Sequence, residues 1–321
     1  MKGSFVISLD FELHWGVAEL WSVKDRKDYF DTTRASIPQV LELFSQNHIH
    51  ATWATVGFLF AKNKEQLLKL MPSKKPTYDD KKLSYYSLID NNEVGFGEID
   101  DPHHFAPSLI QLILNTPHQE LGTHTFAHYY CNEKGQTKEQ FDADLKAAQQ
   151  IAKENFDIEL QSLVFPRNQF NSDYLKIAYQ NGIKVVRSNP DVWFWNHHFK
   201  WSPLARALDT LIPISKSLTF NQSTLSKSKD KVLLLPASRF LRPYSKKESI
   251  IQKIKVNRIK KEMTFAAKRN ESYHLWWHPH NFGYDLDENM QMLREIICHY
   301  NFLHQKYGFQ SKSMIEMFTN E

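Results

Sequence analysis

Two histidines four residues apart, His124 and His128, form the strongest chemical pattern in the sequence. They directly follow residues 120–123, which are typical of a β-strand. If the backbone turns helically after this strand, the two imidazoles share one face and can reach one metal ion. The pattern lacks the Glu of H-E-x-x-H, which argues against a zincin-type protease.

Two carboxylates, Asp10 and Glu12, follow the apolar residues at the start of the chain. Alternate residues of an extended chain point to the same side, so both carboxylates can face one site. One of them can complete a metal site with the two histidines, and the other can take a proton from metal-bound water. Solvated acids at an ordinary strand end are the alternative interpretation.

A third pattern, residues 274–281, combines three histidines with the adjacent tryptophans Trp276 and Trp277. His278 or His280 can protonate a leaving amine, because the ordinary pKa of histidine lies near neutrality. The two tryptophans and His280 are candidates for contact with substrate. A packed aromatic strand with incidental histidines is the alternative.

The elements that must position these residues alternate along the chain. Short apolar runs are separated by longer segments with helical periodicity, which is typical of βα units with a parallel sheet. The strand number favours an α/β barrel of the TIM type that is incomplete or distorted. The predicted strands are residues 5–9, 50–56, 120–125, 162–165, 183–187, 232–236 and 273–277, and the predicted helices include residues 34–47, 137–155, 172–181 and 288–307.

We expect residues 1–321 to form one domain, because no linker rich in Pro, Gly or Ser divides the chain. Two stretches, residues 73–105 and 189–230, interrupt the alternation of strands and helices. In barrel enzymes, loops of this kind at the carboxyl ends of strands shape the substrate site.

The composition excludes several classes of protein. Hydrophobic residues make up 41% of the 321 residues and the net charge is +4, so the chain can bury a full core and gives no indication of a nucleic-acid partner. Two cysteines, Cys131 and Cys298, cannot build a disulfide framework. Signal-peptide features are absent and no apolar run reaches the roughly 18 to 20 residues of a membrane span, so we expect a cytoplasmic protein.

Residues 246–269 form a basic segment with helical periodicity, which carries nine Lys and Arg residues against two Glu. An outer barrel helix with a solvated face is one interpretation. A surface that contacts the membrane peripherally, through anionic lipid, is the other, and it suits a substrate that is a lipid-linked sugar.

Taken together, these patterns resemble the polysaccharide deacetylase family, also called the NodB-homology domain or carbohydrate esterase family 4. Residues 8–12 resemble the first motif of the family in its D-x-E variant, and His124-Thr125-Phe126-Ala127-His128 matches its H-[S/T]-x-x-H motif. Residues 51–57 resemble its second strand. The resemblance covers roughly residues 3–316 apart from the two interruptions, and it depends on the order and spacing of the motifs.

The resemblance implies a deformed (β/α) barrel of about seven parallel strands. It also implies a divalent metal, first of all Zn²⁺, bound by Glu12, His124 and His128, although Fe, Co and Ni suit the same ligands. Asp10 would be the general base, and His278 would be the general acid.

The sequence departs from the family in two motifs. The Arg-x-Pro motif appears with its order changed within residues 165–170, where Arg167 is predicted to pair with Asp10 and hold it ionised. Asn168 is predicted to offer its backbone N–H to the oxyanion. The motif whose Asp orients the catalytic histidine has no clear match, and Asp191 is its candidate.

The expected reaction is metal-dependent hydrolysis of the N-acetyl group of an amino sugar in a surface polysaccharide or its precursor, as in O-antigen, capsule or exopolysaccharide biosynthesis. The substrate is expected to be a sugar nucleotide, a lipid-linked oligosaccharide or a polysaccharide. The alternatives are a deformylase or related C–N hydrolase acting on a sugar, a catalytically degenerate sugar-binding barrel, and a scaffolding protein.

Overall fold

The computed structural model describes residues 2–190, 192–196, 205, 209, 217–225, 228 and 230–319. Asp191 and much of the second interruption, residues 189–230, lie outside the described residues. The predictions made for them therefore stay predictions.

A single parallel sheet organises the described part of the chain. Its strands are β1 (Ser4–Phe11), β2 (Ala51–Thr55), β3 (Gln119–Thr123), β4 (Ser162–Val164), β5 (Val185–Ser188), β6 (Leu233–Pro236), β7 (Arg239–Phe240), β8 (Tyr273–Trp277) and β9 (Gln310–Lys312). The strand order is β6-β5-β4-β3-β2-β1-β8-β7, with β9 beside β1. Because β6 and β7 end this order without pairing in the described residues, the sheet is an open half-barrel.

Helices connect and cover these strands. In the described residues they are α1 (Lys27–Gln46), α2 (Lys64–Leu70), α3 (Tyr86–Asp90), α4 (Pro107–Asn115), α5 (Lys138–Phe156), α6 (Leu175–Gln180), α7 (Trp193–Asn196), α8 (Ser249–Arg269), α9 (Leu286–Tyr307) and α10 (Met314–Thr319). None of them is long and apolar enough to cross a membrane.

All seven predicted strands are confirmed, and so is the α/β fold with an incomplete barrel. The four predicted helices are confirmed as α1, α5, α6 and α9, although the third begins as a 3-10 turn at Ser172–Tyr174. Strands β7 and β9 were not predicted, because two and three residues are too few to show a periodic pattern.

Strand β1 lies inside the sheet, between β2 and β8, and is buried along its whole length. Such burial on both faces is typical of parallel strands. Phe5, Ile7 and Leu9 belong to the main hydrophobic core, whereas the alternate residues Ser8 and Asp10 face the inside of the half-barrel. Asp10 therefore points to the inside of the half-barrel, at the carboxyl end of the strands.

The basic segment forms α8, and its apolar side faces the protein. Ile259 and Met263 are buried in the main core. Two of its cations are buried as well: Lys255 pairs with Glu248, and Arg258 pairs with Glu262. The outer-helix interpretation thus accounts for most of the segment.

Candidate metal centre

The segment that carries both histidines leaves strand β3 as an irregular loop and does not form a helical turn. Thr125 has a φ of 65° and His128 a φ of 54°, so both adopt the left-handed conformation. A helical turn is therefore not what brings the two histidines together. The two imidazoles are nevertheless close, with ring centroids 5.0 Å apart.

A buried carboxylate from helix α5 holds this loop in shape. Asp144 accepts hydrogen bonds from the backbone N–H groups of Phe126 at 2.6 Å and Ala127 at 3.1 Å. Burial raises the pKa of Asp144 to about 7, while the two N–H donors lower it. The sequence analysis missed this residue; an Asp on the apolar side of an amphipathic helix was the available signal.

Each histidine uses one ring nitrogen for anchoring and aims the other at a common point. His124 Nδ1 lies 2.8 Å from the Val164 carbonyl, and His128 Nδ1 lies 3.0 Å from the Tyr130 hydroxyl. A hydrogen bond at Nδ1 fixes the tautomer and leaves Nε2 with its lone pair. The Nε2 atoms of His124 and His128 lie 2.9 and 3.2 Å from Oε1 of Glu12.

These three side chains fit a divalent cation. Glu12, His124 and His128 are buried, and each offers one ligand atom within 4.8 Å of the other two. His124 Nε2 has no hydrogen-bond partner despite its short distance to the carboxylate, and Oε2 of Glu12 has none either. Two nitrogen ligands and one carboxylate suit Zn²⁺ with an open position.

A glycine lies directly against the carboxylate. Glu12 follows the end of β1, and the chain then makes a 3-10 turn at Leu13–Gly16 that brings Gly16 back onto it. A Cβ atom at Gly16 would lie 1.8 Å from Glu12 Oε2. This position therefore tolerates only glycine while Glu12 keeps its orientation.

Asp10 is paired with Arg187 and not with Arg167, so the predicted partner is wrong. The guanidinium of Arg187 donates two hydrogen bonds to the Asp10 carboxylate, both at 2.7 Å, and both side chains are buried. Burial raises the pKa of Asp10, but the charges of Arg187, His124 and His278 and the hydrogen bonds from Arg187 together outweigh this effect and hold the pKa below its usual value.

Arg187 belongs to β5, the next strand after the motif in which the Arg was expected. It lies on the inner face of the sheet, and its guanidinium is 4.4 Å from the centre of the Trp276 ring. An arginine inside the apolar run of a buried strand was the signal in the sequence, because a buried cation requires a partner.

Arg167 and Asn168 have other contacts. The guanidinium of Arg167 pairs with Glu19. The backbone N–H of Asn168 donates to the Phe165 carbonyl at 3.0 Å, so it is not free for an oxyanion and this prediction is wrong. The Asn168 side chain instead accepts a hydrogen bond from Arg187 at 2.8 Å.

The two late histidines differ in their surroundings. His278 is partly exposed, and its Nε2 lies 3.7 Å from Asp10 Oδ2 and 3.8 Å from Glu12 Oε1. Its Nδ1 lies 3.3 Å from the side-chain oxygen of Asn281, which can orient the ring. His280 is buried, and burial lowers its pKa to about 3, so it stays neutral. This contrast favours His278 as a proton donor.

Only one of the two tryptophans lies on the inner face. Trp276 is opposite Ser8 in the sheet register and stacks its ring on Arg187. Trp277 points to the helices, is fully buried, and packs against Phe44 and Phe282. A role for Trp277 in substrate binding is therefore wrong, because alternate strand residues point to opposite faces.

A family model for polysaccharide deacetylases matches residues 28–186. This segment, just under half of the chain, is similar to polysaccharide deacetylases. The family resemblance based on the motifs is confirmed. His124 and His128 lie inside the matched range. Asp10, Glu12 and His278 lie outside it in the sequence, and the fold brings them close to the two histidines. A search of curated proteins finds no significant match.

Solved structures show the same fold. A Mycobacterium smegmatis protein assigned as a polysaccharide deacetylase has a TM-score of 0.62 and 11% identity, covering 98% of this chain and 88% of that one. A Pseudomonas aeruginosa PAO1 protein assigned in the same way has a TM-score of 0.53 and 10% identity, with coverages of 98% and 88%. A 4-alpha-glucanotransferase from Thermococcus litoralis has a TM-score of 0.57 and 10% identity, with coverages of 100% and 40%. At these identities the similarity concerns the fold alone.

The substitution Gly16→Ala tests the arrangement of the centre. The added methyl group would overlap Glu12 Oε2 and force the carboxylate away from the histidines. We expect the affinity for Zn²⁺, measured by competition with a chromogenic chelator, to fall by at least about tenfold. Gly97→Ala is the control, since its Cβ would meet a carbonyl at 3.1 Å in a loop outside the centre. Unchanged zinc affinity in Gly16→Ala would contradict this geometry.

Proposed function

We propose that the chain is a metal-dependent deacetylase that hydrolyses the N-acetyl group of an amino sugar. One observation carries the proposal: Glu12, His124 and His128 aim three ligand atoms at one point, and Asp10 and His278 lie beside it. The family of the matched segment supports the same reaction class. A divalent cation held by the three ligands supplies Lewis acidity, which polarises the acyl carbonyl and makes water more acidic.

In the proposed reaction, Asp10 is the general base. Its bidentate pair with Arg187 keeps the carboxylate ionised and fixes its orientation towards the centre. An ionised carboxylate at this position can take the proton of the attacking water. Ser8 and Asn168 bind the same guanidinium, so the base rests on a network that spans three strand ends.

His278 is the proposed general acid. An amide nitrogen leaves only after protonation, and the partly exposed His278 can collect a proton from solvent and deliver it from Nε2. Asn281 provides the orienting oxygen that the family motif leads one to expect from an Asp. His280 stacks on the His278 ring at 4.8 Å and supports its position.

The substrate is proposed to be an N-acetylated sugar of a surface polysaccharide or of its sugar-nucleotide or lipid-linked precursor. Trp276 is the inner-face aromatic residue closest in sequence to the proposed acid, and its ring centroid lies 5.7 Å from that of His278. A deformylase is the second enzymatic candidate, because the same residues would hydrolyse an N-formyl group. The degenerate sugar-binding barrel is disfavoured by the complete set of ligands, base and acid.

A cytoplasmic location with peripheral membrane contact is also part of the proposal. Lys253, Lys261 and Lys268 lie on the exposed side of α8, together with Ile254 and Phe265, which are 51% and 42% exposed. Lysines interspersed with exposed apolar side chains suit the surface of an anionic bilayer. This contact would bring the site close to lipid-linked sugars.

Product analysis and kinetics test the proposed reaction and the role of His278 as its general acid. With Zn²⁺ and an N-acetylated sugar nucleotide or oligosaccharide, we expect acetate and the free amino sugar. His278→Ala should lower kcat by about 10²–10⁴-fold with little change in KM, because it removes proton donation in the transition state. His299→Ala on the outer helix α9 is the control. Release of formate from the N-formyl sugar alone would favour the deformylase, and an unchanged kcat would remove His278 from its role.

Arg187→Met tests the buried base. The substitution leaves Asp10 as a buried carboxylate without its cation, and breaking such a pair costs about 3–5 kcal/mol. We expect a lower Tm and a fall in kcat/KM of about 100-fold or more. Arg239→Met is the matched control, because it breaks a buried pair with Glu262 on the outer side of the sheet. It should lower the Tm and leave kcat/KM of the folded protein unchanged; equal losses of activity would contradict the assignment of Asp10.

Vesicle co-sedimentation tests the membrane contact. We expect the protein to bind phosphatidylglycerol vesicles more strongly than phosphatidylcholine vesicles, and the double substitution of Lys253 and Lys261 by Glu to abolish the difference. Lys146→Glu, on helix α5, reverses a charge elsewhere and serves as the control. Equal sedimentation with both lipids would end this part of the proposal.

A further inference from the structure

A chain of hydrogen bonds leads away from the candidate ligand His128. Its Nδ1 lies 3.0 Å from the Tyr130 hydroxyl, which lies 2.7 Å from the hydroxyl of Tyr85. The Tyr85 hydroxyl in turn donates to the carboxylate of Glu19. Both tyrosines are buried, so water does not compete for these contacts.

The direction of the protons in this chain is fixed at both ends. A histidine that offers Nε2 to a cation carries its hydrogen on Nδ1, so His128 must donate to the Tyr130 oxygen. At the other end, an ionised carboxylate can only accept. The Tyr130 O–H therefore donates to Tyr85, and the Tyr85 O–H donates to Glu19. If Tyr85 donated to Tyr130 instead, its oxygen and the Glu19 carboxylate would face each other as two acceptors, so the middle link cannot be reversed.

Two further contacts hold the chain in place. Arg167 forms an ion pair with Glu19, and its guanidinium lies 4.3 Å from the centre of the Tyr130 ring. The ring of Tyr85 stacks on the imidazole of His128, with centroids 5.6 Å apart and planes inclined by 15°. These contacts restrict the rotation of the imidazole and the position of the carboxylate.

We propose that Tyr130, Tyr85 and Glu19 are positioning residues for the metal ligand His128, and that Arg167 holds Glu19 in place. The inference rests on the proposed metal centre and assigns a task to residues that the reaction itself does not use. A carboxylate linked to a ligating imidazole fixes the ring and makes it a stronger ligand. Here two tyrosines transmit that influence from a carboxylate that does not touch the imidazole.

This series of hydrogen bonds also gives a role to one of the two interruptions of the βα pattern. Tyr85 belongs to residues 73–105, the excursion between β2 and β3, and precedes helix α3 directly. The other ligand, His124, is anchored on a backbone carbonyl of β4 and needs no such insertion. The excursion therefore completes the surroundings of one ligand in addition to covering the barrel.

Zinc binding to the full chain tests this inference. The variants are Tyr130→Phe, which removes the acceptor of His128 Nδ1, and Glu19→Gln, which keeps the size and an acceptor oxygen but removes the charge. The matched controls are Tyr300→Phe on helix α9 and Glu120→Gln, a partly buried carboxylate that accepts hydrogen bonds from Thr52 and Ser162. The dissociation constant of Zn²⁺ is measured by chelator competition, and Tm is measured with EDTA and with Zn²⁺.

We expect Tyr130→Phe to raise the dissociation constant of Zn²⁺ by about 10–100-fold, and Glu19→Gln to raise it by about tenfold. The increase in Tm on adding Zn²⁺ should shrink in both variants, because stabilisation by a ligand follows its affinity. Both controls should bind Zn²⁺ like the unmodified chain. A purely structural role would instead lower the Tm in EDTA and leave the dissociation constant unchanged.

Failure of this inference and failure of the proposed function give different results. If the unmodified chain binds Zn²⁺ and releases acetate, but the two variants bind Zn²⁺ as tightly as their controls, the positioning role is overturned and the deacetylase remains. If the unmodified chain binds no Zn²⁺, both are overturned. Weaker zinc binding in both variants, with normal binding in both controls, supports the positioning role.

Discussion

The burial of two carboxylates two residues apart is the constraint on which the rest of the structure depends. Asp10 and Glu12 are 1% and 2% exposed, and a buried charge without compensation is very unfavourable. Arg187 compensates Asp10 through a bidentate pair. Among the described residues no Lys or Arg pairs with Glu12, which is surrounded by imidazoles. A divalent cation bound by Glu12 and these imidazoles would supply the missing charge.

The half-barrel satisfies this constraint by its strand order. Strand β1 lies between β2 and β8, so strand ends on both sides of it can contact the residues at its carboxyl end. Ligands come from the loop after β3, and the proposed acid comes from the segment after β8. Arg187 enters from β5. The relation to a glucanotransferase shows that the same frame also carries other chemistry, so the side chains at these strand ends decide the reaction.

The strands and most of the inner residues could be predicted from the sequence, because apolar runs and the H-x-x-x-H spacing are local patterns. What failed depends on contacts between distant segments. Arg187 and Asp10 are 177 residues apart. The position of Arg187 in an apolar strand indicates a buried cation, but no local pattern identifies Asp10 as its partner. Asp144 and Glu19 likewise act through contacts with other segments of the protein. Such contacts form only when the chain folds, so no local pattern in the sequence reveals them. Trp277 is a different case, since strand alternation alone would have assigned it to the core.

The most direct test of the central claim is X-ray diffraction from crystals grown with Zn²⁺, recorded at the zinc absorption edge. We expect one anomalous peak within about 2.0–2.2 Å of the Nε2 atoms of His124 and His128 and of a carboxylate oxygen of Glu12. No peak between these three side chains, or a zinc ion bound elsewhere while Glu12 remains uncoordinated, would contradict it.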